Sequence, residues 1–82
     1  MNEIKWRKKA LKQLRKIQQA RTRETIYDAV DTLKYFPNCQ NIKKIKSTGN
    51  YRLRVGNWRV IFTPELEIIF IEEVKKRNEQ TY

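Results

Sequence analysis

Residues 51–62 read YRLRVGNWRVIF, and the fold turns on this stretch. Tyr51, Leu53 and Val55 alternate with Arg52 and Arg54, the period of a strand whose neighbours face opposite sides. The dipeptide Gly56-Asn57 interrupts the alternation, and Trp58, Val60 and Phe62 resume it. Two alternating runs around a two-residue turn that opens with glycine predict a β-hairpin. In that hairpin the apolar residues share one sheet face. Arg52 and Arg54 point to the other, and Arg59 falls close to them.

Reading on from the hairpin, TPELE (63–67) is a second turn, and IIFI (68–71) is a continuous apolar run suited to a strand covered on both sides. The tail EEVKKRNEQTY (72–82) has no helical stripe and is expected to extend that strand. Reading back, NIKKIK (41–46) is short and basic, and STGN (47–50) is a turn. Residues 22–36 carry an apolar stripe of Ile26, Ala29, Val30, Leu33 and Phe36, with Thr22 as the expected N-cap and Pro37 as the stop. KWRKKALKQLRKI (5–17) places Ala10, Leu11, Leu14 and Ile17 on a second stripe, which Trp6 can join. NEIKW (2–6) reads as a short first strand. The order is β-α-α-β-β-β. It predicts an α+β fold in which an N-terminal helical hairpin packs on one face of a small antiparallel sheet. Length and the absence of a linker make residues 1–82 one expected domain.

The charge is clustered. The net charge is +10, and a balance this basic attracts polyanions. Residues 1–23 hold nine basic side chains against one acid, and residues 42–59 hold six against none. The second block is the informative one, because Lys43, Lys44, Lys46, Arg52, Arg54 and Arg59 fall on adjacent strands and the loop between them. Like charges side by side across strands destabilise a sheet. That cost is tolerable on a face that receives phosphate, which the planar fork of arginine can grip with two parallel hydrogen bonds. Lys8, Lys9, Lys12, Arg15 and Lys16 form another basic face on the first helix, either a contact for RNA phosphates or a solvated surface. Tyr51 and Trp58 belong to the apolar alternation and are expected in the core rather than as platforms for stacked bases.

Other chemistries find little support. The chain has one cysteine and no histidine, so there is no internal disulfide, no cysteine-based metal site and no imidazole acid or base. Cys39, in the turn-like FPNCQN (36–41), is expected to be partly buried and structural. No metal or other cofactor is expected. No apolar run reaches membrane-spanning length, and residues 1–17 have no apolar core of the kind a secretion signal needs, so a cytoplasmic protein with no membrane partner is expected.

The order of these parts resembles the RelE/ParE superfamily of bacterial type II toxin–antitoxin toxins. The resemblance runs through KKALKQLRKI, the FPN helix stop, the YRLRVGNWRVIF hairpin and the tail that ends in Lys76-Arg77 and Tyr82. It implies a RelE-like, microbial-ribonuclease-like α+β domain, neutralised by a cognate antitoxin. In the RelE branch it implies a ribosome-dependent endoribonuclease that cuts mRNA in the A site, with ribosome and mRNA as partners. In the ParE branch it implies inhibition of DNA gyrase without bond cleavage, and an inactive nucleic-acid-binding relative is a third possibility. The resemblance assigns Arg52 and Arg54 to holding and activating the RNA and Arg59 to stabilising the transition state. It adds Arg77, and it assigns Tyr82 to stacking on or orienting the scissile nucleotide. Lys43, Lys44 and Lys46 would bind RNA. Some relatives use a tail histidine as acid or base; here Glu79 is the nearest carboxylate in sequence, as a base or as an ion-pair partner of a neighbouring cation.

Overall fold

Hairpin and helix stripes bury each other. The computed structural model describes residues 1–77; Glu79 and Tyr82, the expected base and stacking residue, lie outside them. The elements are β1 (Glu3–Trp6), α1 (Lys8–Arg15), α2 (Ala20–Asp31), a 3-10 helix (Thr32–Tyr35), β2 (Ile42–Lys44), β3 (Tyr51–Val55), β4 (Trp58–Glu65) and β5 (Ile68–Lys76). The strands form one sheet in the order β1-β5-β4-β3-β2. Ala10 and Leu14 of α1, Ile17, Ile26 and Val30 of α2, and Leu33 are buried together with Leu53, Val55, Val60, Phe62, Ile69, Ile71 and Val74 of the sheet. Apart from Ala10, each such side chain contributes about 1.5–3 kcal/mol by leaving water. Tyr51 and Trp58 pack against this core, as the alternation predicts. Tyr51 lies 5.6 Å from Phe62 and 5.1 Å from Phe36, ring centre to ring centre.

The α+β class and the helical layer match the expectation, but the sheet is mixed and has one more strand. β2 to β5 form an antiparallel meander, whereas β1 runs parallel to β5, with Trp6 opposite Ile71. Short turns dictate the meander; β1 meets β5 across most of the chain, so no turn sets its direction. β2 is only three residues long, too short for a period of two to show. It completes the sheet through Ile42 opposite Leu53.

Several boundaries also move. Trp6 belongs to β1 rather than to the first helix, and from there it stacks on Tyr27 at 6.0 Å. α2 starts at Ala20 with Gln19 in the N-cap position, and Thr22 lies within the first turn. The Arg23 guanidinium donates to the Ile17 carbonyl, tying α2 to the end of α1. β4 continues through Pro64, and the turn falls at Leu66 (φ 54°). Proline is accommodated because β3 begins only at Tyr51, opposite Phe62, so the Pro64 nitrogen needs no partner on that side.

β5 holds the least regular feature. Ile61 pairs with Glu73 but Phe62 pairs with Ile71, so one residue of β5 is extra. This β-bulge lets both Ile71 and Val74 reach the core. Beyond Trp6, among the described residues, no strand pairs with this edge of β5, and α1 takes over: the Gln13 side-chain oxygen accepts the Val74 amide hydrogen bond at 2.7 Å.

Candidate nucleic-acid interface

The face of the sheet away from the helices carries the cations. Lys43 pairs with Arg52, and Arg54 pairs with Arg59, which in turn pairs with Lys75. Directly paired residues share a face, so Arg54, Arg59 and Lys75 form one cross-strand row, with Lys43 and Arg52 in the next. Arg59 sits in the middle. Its pKa falls below the ordinary arginine value, first through desolvation and then through repulsion by Arg52, Arg77 and Arg54. It remains a cation at neutral pH.

These side chains line a concavity of about 340 Å³ formed by Asn41, Ile42, Lys43, Arg52, Arg54, Arg59 and Arg77. No carboxylate is in that lining among the described residues. Two backbone hydrogen bonds fix its rim. The Arg54 amide donates to the Asn41 carbonyl at 2.9 Å, and the Arg77 amide donates to the Asn57 carbonyl at 2.7 Å. Gly56 makes the second contact possible, because its φ of 58° turns the hairpin so tightly. Arg77 is therefore held beside the β3–β4 turn, although it is far from Arg52 in sequence.

At the other end of the same face the positive charge is neutralised. Arg7 lies over the Phe70 ring at 4.3 Å and pairs with Glu72 at 3.4 Å. Glu73 accepts from Lys9 at 2.9 Å and from Lys75 at 3.4 Å. The Lys9 hydrogen bond is the main reason its carboxyl titrates below the usual range, against a smaller opposing effect of burial. The face thus divides into a neutralised end at β1 and β5 and a cationic end at β2 to β4.

Of the residues singled out from sequence, Arg52, Arg54, Arg59, Arg77 and Lys43 meet at the concavity. Lys44 and Lys46 do not line it. Lys44 pairs with Tyr51 and takes the opposite face, and Lys46 lies in the turn after β2. Sequence reasoning missed Asn41, whose φ of 64° suits asparagine, and Lys75, which only the pairing register identifies. Cys39 is partly buried, and burial pushes its thiol pKa up. Among the described residues no group of side chains is arranged to hold a metal ion, and no helix is long and apolar enough to cross a membrane.

Residues 4–81 match the family model described as the ParE toxin of the type II toxin–antitoxin system parDE. Among solved structures, the archaeal RelE–RelB complex from Pyrococcus horikoshii OT3 contains a chain 26% identical, with a TM-score of 0.80 over 95% of this chain and 97% of that one. A chain of the RelB–RelE antitoxin–toxin complex from Methanococcus jannaschii is 24% identical, with a TM-score of 0.73 over 88% of each chain. The YoeB dimer from Staphylococcus aureus shares the fold at 19% identity and a TM-score of 0.72, over 94% of this chain and 98% of that one. No curated protein matches the sequence.

Proposed function

The chain belongs to the ParE toxin family of type II toxin–antitoxin systems, and from that premise we propose that it cleaves mRNA on the ribosome, with the arginine concavity as its phosphate site. It is the toxin of a toxin–antitoxin pair, and an antitoxin protein is its partner. The observation that carries the nuclease reading is the convergence of Arg52, Arg54, Arg59 and Arg77 on one concavity.

In the proposed reaction a ribose 2′-oxygen attacks the adjacent phosphorus. The new P–O bond closes a 2′,3′-cyclic phosphate, and the bond to the 5′-oxygen breaks. The 2′-hydroxyl proton goes to a base, and the leaving 5′-oxygen takes one up. Negative charge grows on the non-bridging oxygens, where preorganised guanidinium donors stabilise it most. Arg59, central and crowded by three other cations, is positioned to contribute most. Proton transfer falls to Glu79 or Tyr82 in this reading, the carboxylate and the phenol that follow Arg77 in the sequence. With no histidine the isolated protein is a slow nuclease, and the ribosome supplies the aligned substrate. The protein acts in the cytoplasm, where the ribosomes are.

The test is translation of a defined mRNA in vitro with added protein, followed by mapping of the RNA 5′ ends. The nuclease reading expects discrete breaks within the A-site codon. A second reading has the family description itself in its favour: a ParE-type inhibitor of DNA gyrase that cuts nothing. Intact mRNA with failed gyrase supercoiling would establish that reading and end the first.

A further inference from the structure

A second recess adjoins the concavity. It has a volume of about 290 Å³ and is lined in part by Tyr35, Asn38, Cys39, Gln40, Asn41 and Arg54. Asn41 and Arg54 line both hollows, so the two share a wall one residue pair thick, at the place where the Arg54 amide meets the Asn41 carbonyl. The chemistry changes across that wall. On one side are four arginines and a lysine; on the other, among the described residues, three side-chain amides and a tyrosine stand with the apolar Ala29 and Leu53, and Arg54 is the one charged residue.

The second lining suits a nucleobase. Tyr35 is 53% exposed, so its ring is accessible, and the Lys34 ammonium sits 5.3 Å from the ring centre. The Asn38 backbone N–H donates to the Tyr35 carbonyl at 2.8 Å, and the Asn38 and Gln40 side chains are exposed. Each amide offers a donor pair and an acceptor, the set that matches the N6 donor and N7 acceptor of adenine. Single-stranded RNA is read in this way, with unstacked bases laid on aromatic rings and hydrogen-bonded along their edges. Arg54 at the shared wall supplies the link to the strand, since a nucleotide's base lies one sugar away from its phosphate.

We propose that this recess receives an unstacked adenine of the same RNA strand whose phosphate occupies the arginine concavity, stacked on Tyr35 and read by Asn38 and Gln40. The inference rests on reading the concavity as an RNA phosphate site. It makes the loop between the 3-10 helix and β2 the source of sequence preference, separate from the residues that contact the phosphate.

The experiment is fluorescence anisotropy with 5′-labelled RNA hexanucleotides, one all-uridine and the others carrying a single adenine at each position in turn. At one position adenine should tighten wild-type binding roughly tenfold, within the range of one good bidentate pair. The double variant Asn38→Ala/Gln40→Ala should flatten that preference while keeping the all-uridine affinity. Tyr35→Ala should weaken the adenine-containing RNA more than the all-uridine one. All three positions are exposed, so the fold should survive, and a thermal melt checks it. A wild type indifferent to adenine, or a double variant that keeps the preference, overturns the inference. Arg59→Ala separates the two ideas. It should weaken every RNA alike; if it weakens none, the phosphate reading has failed, while the adenine comparison still decides the recess.

Discussion

The two faces of the β3–β4 hairpin are built from the same strands and do opposite things. On the helix side Leu53, Val55, Val60 and Phe62 are buried against α2 and the rest of the core. On the other side Arg54 stands directly across from Arg59, and three cations crowd that one guanidinium. One face stabilises the fold by burial, and the other gathers like charge at the surface. A protein that keeps both has placed its stability and its chemistry on alternate residues, so single substitutions should separate them cleanly.

The largest effect expected is on the packed face. Phe62→Ala removes a fully buried ring from the middle of the sheet and should cost about 3–5 kcal/mol of stability, read by denaturant unfolding. Next comes Arg59→Ala, which should lower the rate of the proposed A-site cleavage by about 10²–10³-fold, the usual cost of one lost transition-state donor. Its melting temperature should fall far less than that of Phe62→Ala, because Arg59 lies outside the buried core. A collapse of stability in Arg59→Ala would break the separation of the faces. Gly56→Ala comes third. The space around Gly56 is open, but its φ of 58° is costly for any side chain, and the expected loss is about 1–2 kcal/mol. Because this turn holds Arg77 at the rim, RNA affinity should fall with it.

The smallest effect concerns the neutralised end of the open face. The Glu73 carboxyl titrates below its ordinary value because of Lys9, so its contribution is present above the unfolded pKa of about 4.3 and is lost as pH falls through the lower folded value. The Glu73 pairs are partly exposed, so Glu73→Gln should cost under about 1 kcal/mol at neutral pH. The difference from wild type should fade in acid. A difference that persists at acid pH would show that Glu73 acts through packing rather than charge.

The hairpin was legible in sequence because alternation over residues 51–62 is long enough to fix both faces, and the arginine side followed from parity alone. The helical layer was legible from its stripes. What could not be read was whatever depends on partners distant in sequence. The direction of β1 is set by β5 and by no turn. The bulge in β5 breaks the period around Glu72 and Glu73, so parity fails for Lys75, and only pairing shows that it stands beside Arg59. The three lysines before the hairpin look equivalent in sequence, yet strand pairing sends Lys43 toward the arginines and Lys44 to the other face. The recess beside Asn41 left no trace at all, because it is formed by residues from α2, the 3-10 helix, a loop and β3 that meet only in the folded chain.

The most direct test of the central claim is the salt dependence of single-stranded RNA binding. Each phosphate contact contributes about 0.7 to the slope of log affinity against log salt concentration. The double variant Arg52→Gln/Arg54→Gln should reduce that slope by about 1.4, while Lys12→Gln/Lys16→Gln, exposed on α1 and at its C-cap, should leave it unchanged. If the slope instead falls in the α1 variant and holds in the arginine variant, the RNA lies on the helix, and the open sheet face is not its phosphate site.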